Sequence, residues 1–437
     1  MKLKELMKAA GITGAGGAGF PSYAKLSEGA DTLVVNGAEC EPLLYTDYYI
    51  LKTSLTNVLA GISAVMEELS LKSAVLAIKK HTAERLGYTG GEELMKGVTV
   101  KVLRDVYPIG DEISLIYEST GRLIAPGALP ITKGVIVYNV ETLYNVGNYI
   151  LYGEPVIKKW LTVSGDIEKA YTVRVPIGAK ISDLLTSLGI KIPDGDVVLD
   201  GGPSMGKIKN PDIDVITKTT KAILILPRGI AATESKLTNE RMAIARAETA
   251  CCQCTRCTDM CPRNLLGFPL EPHKMVRTSM TAAKIMPEMV ISATLCCGCG
   301  VCETLACNQG ISPRAVIQSY KNLLSENKMR YTSKGDVTVA EEREYRMIPI
   351  GRWQSALGTL EFDKIPEYIG ECVDFNTISI PLSQHIGAPS VAKVSVGDEV
   401  YEGNIIAESG NGLALPQHAS ISGKITYIDT RKIIISR

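Results

Sequence analysis

Eight cysteines in two evenly spaced runs constrain this chain more than any other feature. The first run is Cys251-x2-Cys254-x2-Cys257-x3-Cys261, followed by Pro262, and the second is Cys296-x2-Cys299-x2-Cys302-x4-Cys307. Three thiolates at two-residue intervals wrap one face of a cubane, so the fourth ligand must come from a more distant point of the chain. Structural zinc is the competing reading, but zinc ribbons use C-x2-C pairs, not triplets followed by a fourth cysteine. The spacing predicts two 4Fe–4S clusters. Where two such runs share a chain, the fourth cysteine of one serves the other cluster. On that pattern Cys251, Cys254, Cys257 and Cys307 hold one cluster, and Cys261, Cys296, Cys299 and Cys302 hold the other. Cys252 and Cys297 break the spacing and read as packed thiols.

The remaining composition agrees with a metal site. Ten of the twelve cysteines lie within 57 residues, with Cys40 and Cys372 apart. A disulfide scaffold is small, secreted and bridged throughout, unlike this 437-residue chain. Basic and acidic residues balance at 47 each, so no broad field attracts nucleic acid or an anionic membrane. Apolar runs such as Ala222–Leu226 fall far short of the ~18 residues of a membrane span. The N-terminus, MKLKELMKAAG, lacks the apolar core of a signal peptide. These features predict a cytoplasmic protein with no nucleic-acid partner and no membrane span.

Patterning divides the chain. Over 1–155, apolar strand candidates (Thr32–Asn36, Ser73–Ile78, Val98–Leu103, Gly134–Asn139) alternate with helical stretches (Leu55–Leu69, Gly110–Tyr117, Glu141–Ile150), which predicts an α/β domain. Residues 156–235 read as a compact β-grasp: WLTVSGDI and AYTVRVP as paired strands, a helix at Ile181–Leu188, then strands at Val197–Leu199 and Ala222–Leu226. Residues 236–325 are helical and hold the cysteines. Residues 326–375 are charged and predict an irregular connector, and 376–437 alternate apolar and polar residues with repeated glycines, as a small all-β unit does.

A second motif lies near the N-terminus. Gly14-Ala-Gly16-Gly17-Ala-Gly19 fits G-x-G-x-x-G, but a helical stretch rather than a strand precedes it, which argues against a Rossmann site. Its glycines let backbone N–H groups approach a phosphate, and Lys25 can balance the charge. Asn36, Glu39 and Asn139 offer hydrogen bonds suited to a ribityl chain or ring edge. The wider set adds Glu41 in NGAECEP, Tyr107, Gly110, Asp111 and Glu112 in YPIGDE, and Thr142 in NVET. Together these segments resemble the flavin-binding subunit of respiratory NADH dehydrogenase, and that resemblance implies an FMN site at these residues.

The order of units extends the resemblance over nearly the whole chain. A flavin-type domain, a β-grasp of soluble-ligand-binding (SLBB) type, a two-cluster ferredoxin-like domain and a terminal barrel-sandwich unit of biotinyl/lipoyl type resemble the RnfC protein of the Rnf electron-transport complex. They resemble more closely the PduS family, cobalamin reductases of propanediol-utilisation microcompartments, because here the barrel closes the chain. Gly201-Gly202-Pro203 with Met205-Gly206 belongs to the same set. The terminal unit has Gly410-Asn411-Gly412 where a carrier domain presents a lysine, so it reads as structural. The resemblance implies NADH as the hydride donor, FMN and two clusters as carriers, and cobalamin or a cobalamin-adenosylating enzyme as the partner. It also implies a place in the cytoplasm or inside a microcompartment, with shell or core proteins as neighbours. The alternatives are an RnfC-like conduit to ferredoxin, quinone or a microcompartment partner, and a cluster-bearing docking scaffold without turnover.

Overall fold

The structure, a computed structural model, describes residues 2–280, 287–372 and 374–437. Its first domain is built on five strands: β1 (Thr32–Gly37), β2 (Ser73–Lys79), β3 (Glu93–Met95), β4 (Val98–Leu103) and, after a short β5 (Val106–Tyr107) outside the sheet, β6 (Val135–Asn139). The order is β3-β4-β2-β1-β6, all parallel except the edge strand β3. β1 reads TLVVNG without alternation because helices cover both faces of a parallel sheet. Those helices are α1 (Leu3–Ala9), α2 (Thr46–Thr53), α3 (Leu55–Glu68), α4 (Lys80–Leu86), α5 (Glu112–Thr120) and α6 (Val140–Tyr152). α1, read from sequence as a short helix, buries Leu3 and Met7 against this domain.

α3 and α6 cross closely because each offers a glycine. A Cβ on Gly61 would sit 2.1 Å from the Leu143 carbonyl oxygen, and one on Gly147 would sit 1.8 Å from that of Asn57. Among the described residues no single helix is long and apolar enough to cross a membrane. α2 and α3 pass together on composition but meet at 93°.

The β-grasp follows as expected. β7 (Lys158–Gly165) and β8 (Tyr171–Pro176) form an antiparallel pair, α7 (Ile181–Ser187) crosses the sheet, and β9 (Val197–Asp200), β10 (Lys207–Lys209) and β11 (Ala222–Leu226) complete it, with β11 parallel to β7. Helices Glu240–Ala250, Pro272–Met280 and Pro313–Glu326 pack together around the cysteine loops. The last unit is two small sheets with an isoleucine core (Ile378, Ile380, Ile425, Ile433, Ile435) continuous with that of the β-grasp.

The stretch 326–375 differs from the irregular connector expected. β12 (Ile348–Pro349) pairs with β5, helix Ile350–Leu357 buries Trp353, and β13 (Glu367–Glu371) adds to the β-grasp sheet beside β8. Its EYIGE sequence hides the strand because it lies on a sheet edge, where the glutamates stay in solvent or pair with Lys158 and Arg174.

Because backbone carbonyls face both helix-crossing glycines, Gly147→Val should lower the urea midpoint of the first unfolding transition, at a cost of ~1–3 kcal/mol or more from overpacking. An unchanged midpoint would show that α3 and α6 are not held this closely.

Candidate redox centre

The site has two halves. In the first, the chain passes from β1 to β2 on one side and returns to β6 on the other, which makes a switch point at the carboxyl ends of β1 and β6. Open α/β sheets bind ligands in that crevice. Asn36 ends β1 and Asn139 ends β6, and the Asn139 amide donates to the Asn36 carbonyl at 3.1 Å and to Asp47 at 2.9 Å. The glycine-rich turn lies over the N-terminus of α6. The Ala15 N–H donates to Thr142 Oγ1 at 3.0 Å, the Gly14 N–H donates to the Phe20 carbonyl, and Gly16 comes against Asn139. Gly17 has φ +99°, and a Cβ there would meet nothing within 4 Å. An exposed turn above a helix N-terminus, open at Gly17, fits a phosphate.

The other residues expected at this site have protein partners. Lys25 and Glu112 meet each other at 2.9 Å, and Lys25 also donates to the Val137 carbonyl. The Asn36 amide donates to the Gly110 carbonyl at 3.0 Å. Glu39 accepts from the Thr46 N–H, the Thr46 hydroxyl and the Asp47 N–H, which secures the start of α2. Burial, reinforced by Asp47, pushes the Glu39 carboxyl up to about 7. Glu41 and Asp111, read from sequence as cofactor contacts, turn to neighbouring domains. Glu41 accepts from the N–H groups of Ser204 and Met205, both at 2.9 Å, and Asp111 caps α5 and pairs with Arg263 at 2.7 Å.

In the second half, folding gathers the cysteines into two rings. Cys251, Cys254, Cys257 and Cys307 line one cavity, with Cys252 beside them. Cys261, Cys296, Cys299 and Cys302 line another, with Cys297. Each ring thus takes its fourth cysteine from the other run. Among the described residues no group of three or more His, Cys, Asp or Glu side chains is placed to hold a single metal ion. Burial pushes the Cys257 and Cys261 thiols up to about 12. The Cys261 ring is the more enclosed: Cys261, Cys299 and Cys302 are buried, whereas Cys254 is exposed.

The halves touch. Tyr107 stacks on Trp353 with ring centroids 4.4 Å apart and donates to the Cys299 carbonyl at 2.7 Å. Arg263, which lines the Cys261 cavity, is the partner of Asp111. Arg263, Arg314 and Trp353 carry no motif that sets them apart in the sequence, and Ser204 is marked only by the motif around it. Only the GGPSMG motif points near them.

Comparison with known proteins agrees with this division. Residues 7–148 match the Nuo51 FMN-binding domain, 250–312 a 4Fe-4S dicluster domain and 367–436 the RnfC barrel sandwich hybrid domain. Over its full length the chain is 35% identical to cobalamin reductase PduS of Salmonella typhimurium, covering 96% of that protein. It is 33% identical to the C component of the ion-translocating oxidoreductase complex of Rhodobacter capsulatus, over 63% of this chain and 52% of that one. A solved NAD+-reducing [NiFe]-hydrogenase aligns at TM-score 0.47 and 16% identity, over 83% of this chain and 67% of that chain. The matched domains make the chain an iron–sulfur flavoprotein built for electron transfer.

Glu39 supplies a pH test. Its folded pKa, about 7, stands above the ordinary 4.5. The native state therefore binds the extra proton between those values, and stability falls as pH rises through that window and then levels off. Glu39→Gln should remove this fall, so urea midpoints of variant and wild type should diverge from pH 4.5 to 7 in the variant's favour. Parallel curves would contradict the shift.

Proposed function

The chain belongs to the PduS family of cobalamin reductases, and we propose that it carries electrons from NADH through FMN and two 4Fe–4S clusters to cobalamin, in support of a diol dehydratase. The observation that carries this reading is the direct seam between the flavin-type domain and the enclosed cysteine ring, made by Tyr107 on the Cys299 carbonyl. When bound, the flavin turns a two-electron hydride into single electrons and the clusters relay them.

In this reading Gly14, Gly16, Gly17 and Gly19 present backbone donors to the phosphate beside the N-terminus of α6. Lys25, released from Glu112, adds charge. Asn36, Glu39, Asn139 and Thr142 orient the flavin, and Glu41, Tyr107, Gly110 and Asp111 hold the crevice against its neighbours. Cys261, Cys296, Cys299 and Cys302 hold the cluster nearer the flavin. Cys251, Cys254, Cys257 and Cys307 hold the outer one, where the exposed Cys254 marks the outlet. A cobalamin-adenosylating enzyme at that outlet, and microcompartment proteins around the chain, are the partners this function implies. A conduit of RnfC type to another one-electron acceptor uses the same parts, and similarity to the ion-translocating complexes favours it as the second reading.

Two experiments test this proposal. Anaerobically purified protein should hold about eight iron atoms, and Cys261→Ala should lose the cluster at Cys296, Cys299 and Cys302 while the other keeps its spectrum. Loss confined to the cluster at Cys251, Cys254 and Cys257 would show that each run is self-contained. With NADH, FMN and hydroxocobalamin under anaerobic conditions, the intact protein should reduce cobalamin faster than free reduced FMN does, and Cys254→Ala should be far slower. If NADH never reduces the bound flavin, the donor is a partner protein and the conduit reading stands instead.

A further inference from the structure

The GGPSMG loop of the β-grasp, Gly201–Gly206, lies between the two halves of the site. We infer that this loop is the spacer that fixes the flavin crevice against the enclosed cysteine ring, with Ser204 as its positioning residue. This inference rests on the proposed path from flavin to cluster and assigns a part of that path to the β-grasp, a domain with no role in it so far.

The observations converge on one residue. Ser204 is buried, and each of its polar atoms is engaged by a different part of the chain. Its N–H and that of Met205 donate to Glu41, two residues beyond Glu39 on the loop that leaves β1. Its hydroxyl accepts from the Trp353 indole N–H at 3.0 Å, and Trp353 stacks on Tyr107. Its carbonyl accepts from Lys236 and, at 2.6 Å, from Arg314. Arg314 lines the Cys261 cavity, donates to the Gly298 carbonyl at 3.3 Å and pairs with Glu303 at 2.5 Å. One residue thus binds the flavin-side loop and the aromatic pair directly, and the cysteine loop through Arg314.

The approach is too close for any side chain. A Cβ on Gly202 would lie 2.4 Å from the Glu41 carboxyl carbon, and one on Gly206 would lie 2.5 Å from the Gly202 carbonyl oxygen. Gly202 is needed for the contact with Glu41, and Gly206 for the turn of the loop itself. Such a loop suits electron transfer, whose rate falls as donor and acceptor move apart.

The test compares Gly202→Ala and Ser204→Ala with Ser204→Thr, which keeps the hydroxyl, in the full chain loaded with flavin and iron. Stopped-flow spectra with NADH separate flavin reduction from cluster reduction. Amide hydrogen exchange over 201–206 reports the loop without reference to turnover. Expected for both alanine variants are normal flavin and iron content, normal flavin reduction, faster exchange in the loop and cluster reduction slowed severalfold, with Ser204→Thr restoring the rate. Cluster reduction at the wild-type rate, despite lost protection in the loop, overturns the inference. If Gly202→Ala fails to fold, the Ser204 pair decides alone. If NADH does not reduce the wild-type flavin, the nicotinamide reading fails, and light-driven reduction of the flavin starts the same comparison.

Discussion

Four charges buried at one seam hold the architecture together. Glu141, at the start of α6, pairs with Lys159 of β7 and with Lys221 just before β11, and Lys221 pairs with Asp47 of α2 at 2.6 Å. Glu141 and Asp47 come from the flavin-type domain, and both lysines come from the β-grasp. Burial would lower Lys221, but the facing carboxylates win and hold it above the ordinary lysine range; burial prevails at Lys159 and lowers it. Breaking such a pair by removing one partner costs ~3–5 kcal/mol, because the other charge is left uncompensated. The quartet therefore specifies one register between the domains more than it adds net stability. It also reaches the crevice, since Asp47 accepts from Asn139 at the end of β6.

From that register the remaining contacts follow. With the β-grasp fixed on α2 and α6, its Gly201–Gly206 loop meets Glu41, and the far side of the same loop meets Arg314 and Trp353. The terminal barrel closes on the glycine-rich turn, where the Ile386 N–H donates to the Gly19 carbonyl at 2.8 Å. Lys218 threads between these units and donates to the carbonyls of Gly11 and Pro416. Burial pulls this lysine down to about 7. The flavin-type turn is thus bounded by three domains, although its motif lies wholly in one.

Much of this was legible in the sequence, and for local reasons. Strands β1, β2 and β6 stood out because strands covered on both faces are largely apolar, β4 because apolar and polar residues alternate along it, and β7 and β8 because a Gly-Asp turn joins them. The gathering of Cys261 with the second run, and Cys307 with the first, followed from spacing, since three closely set thiols cannot close a ring alone. β13 was hidden because edge glutamates look like connector, and the helix Ile350–Leu357 because its burial depends on Tyr107, roughly 250 residues earlier in the chain. Glu41 and Asp111 looked like ligand contacts because a carboxylate in a glycine-rich loop has the same sequence signature whether it faces a cofactor or a neighbouring backbone.

The sequence by itself determined the order of domains, the kinds of cofactor and the cysteines that can hold iron. The cysteine runs and strand patterns depend on short-range spacing and periodicity, and the flavin-type motifs on family resemblance, all of which the chain carries whatever its tertiary arrangement. Only the tertiary structure decided which ring of cysteines lies against the flavin-type domain, that the β-grasp loop braces the two halves where they meet, and that Ser204 is its anchoring point. Those facts depend on pairings across 41–204, 47–221, 107–299 and 204–353. Partners so far apart leave no periodic trace in the sequence. Each is an ordinary polar or aromatic residue until burial removes water as its alternative partner.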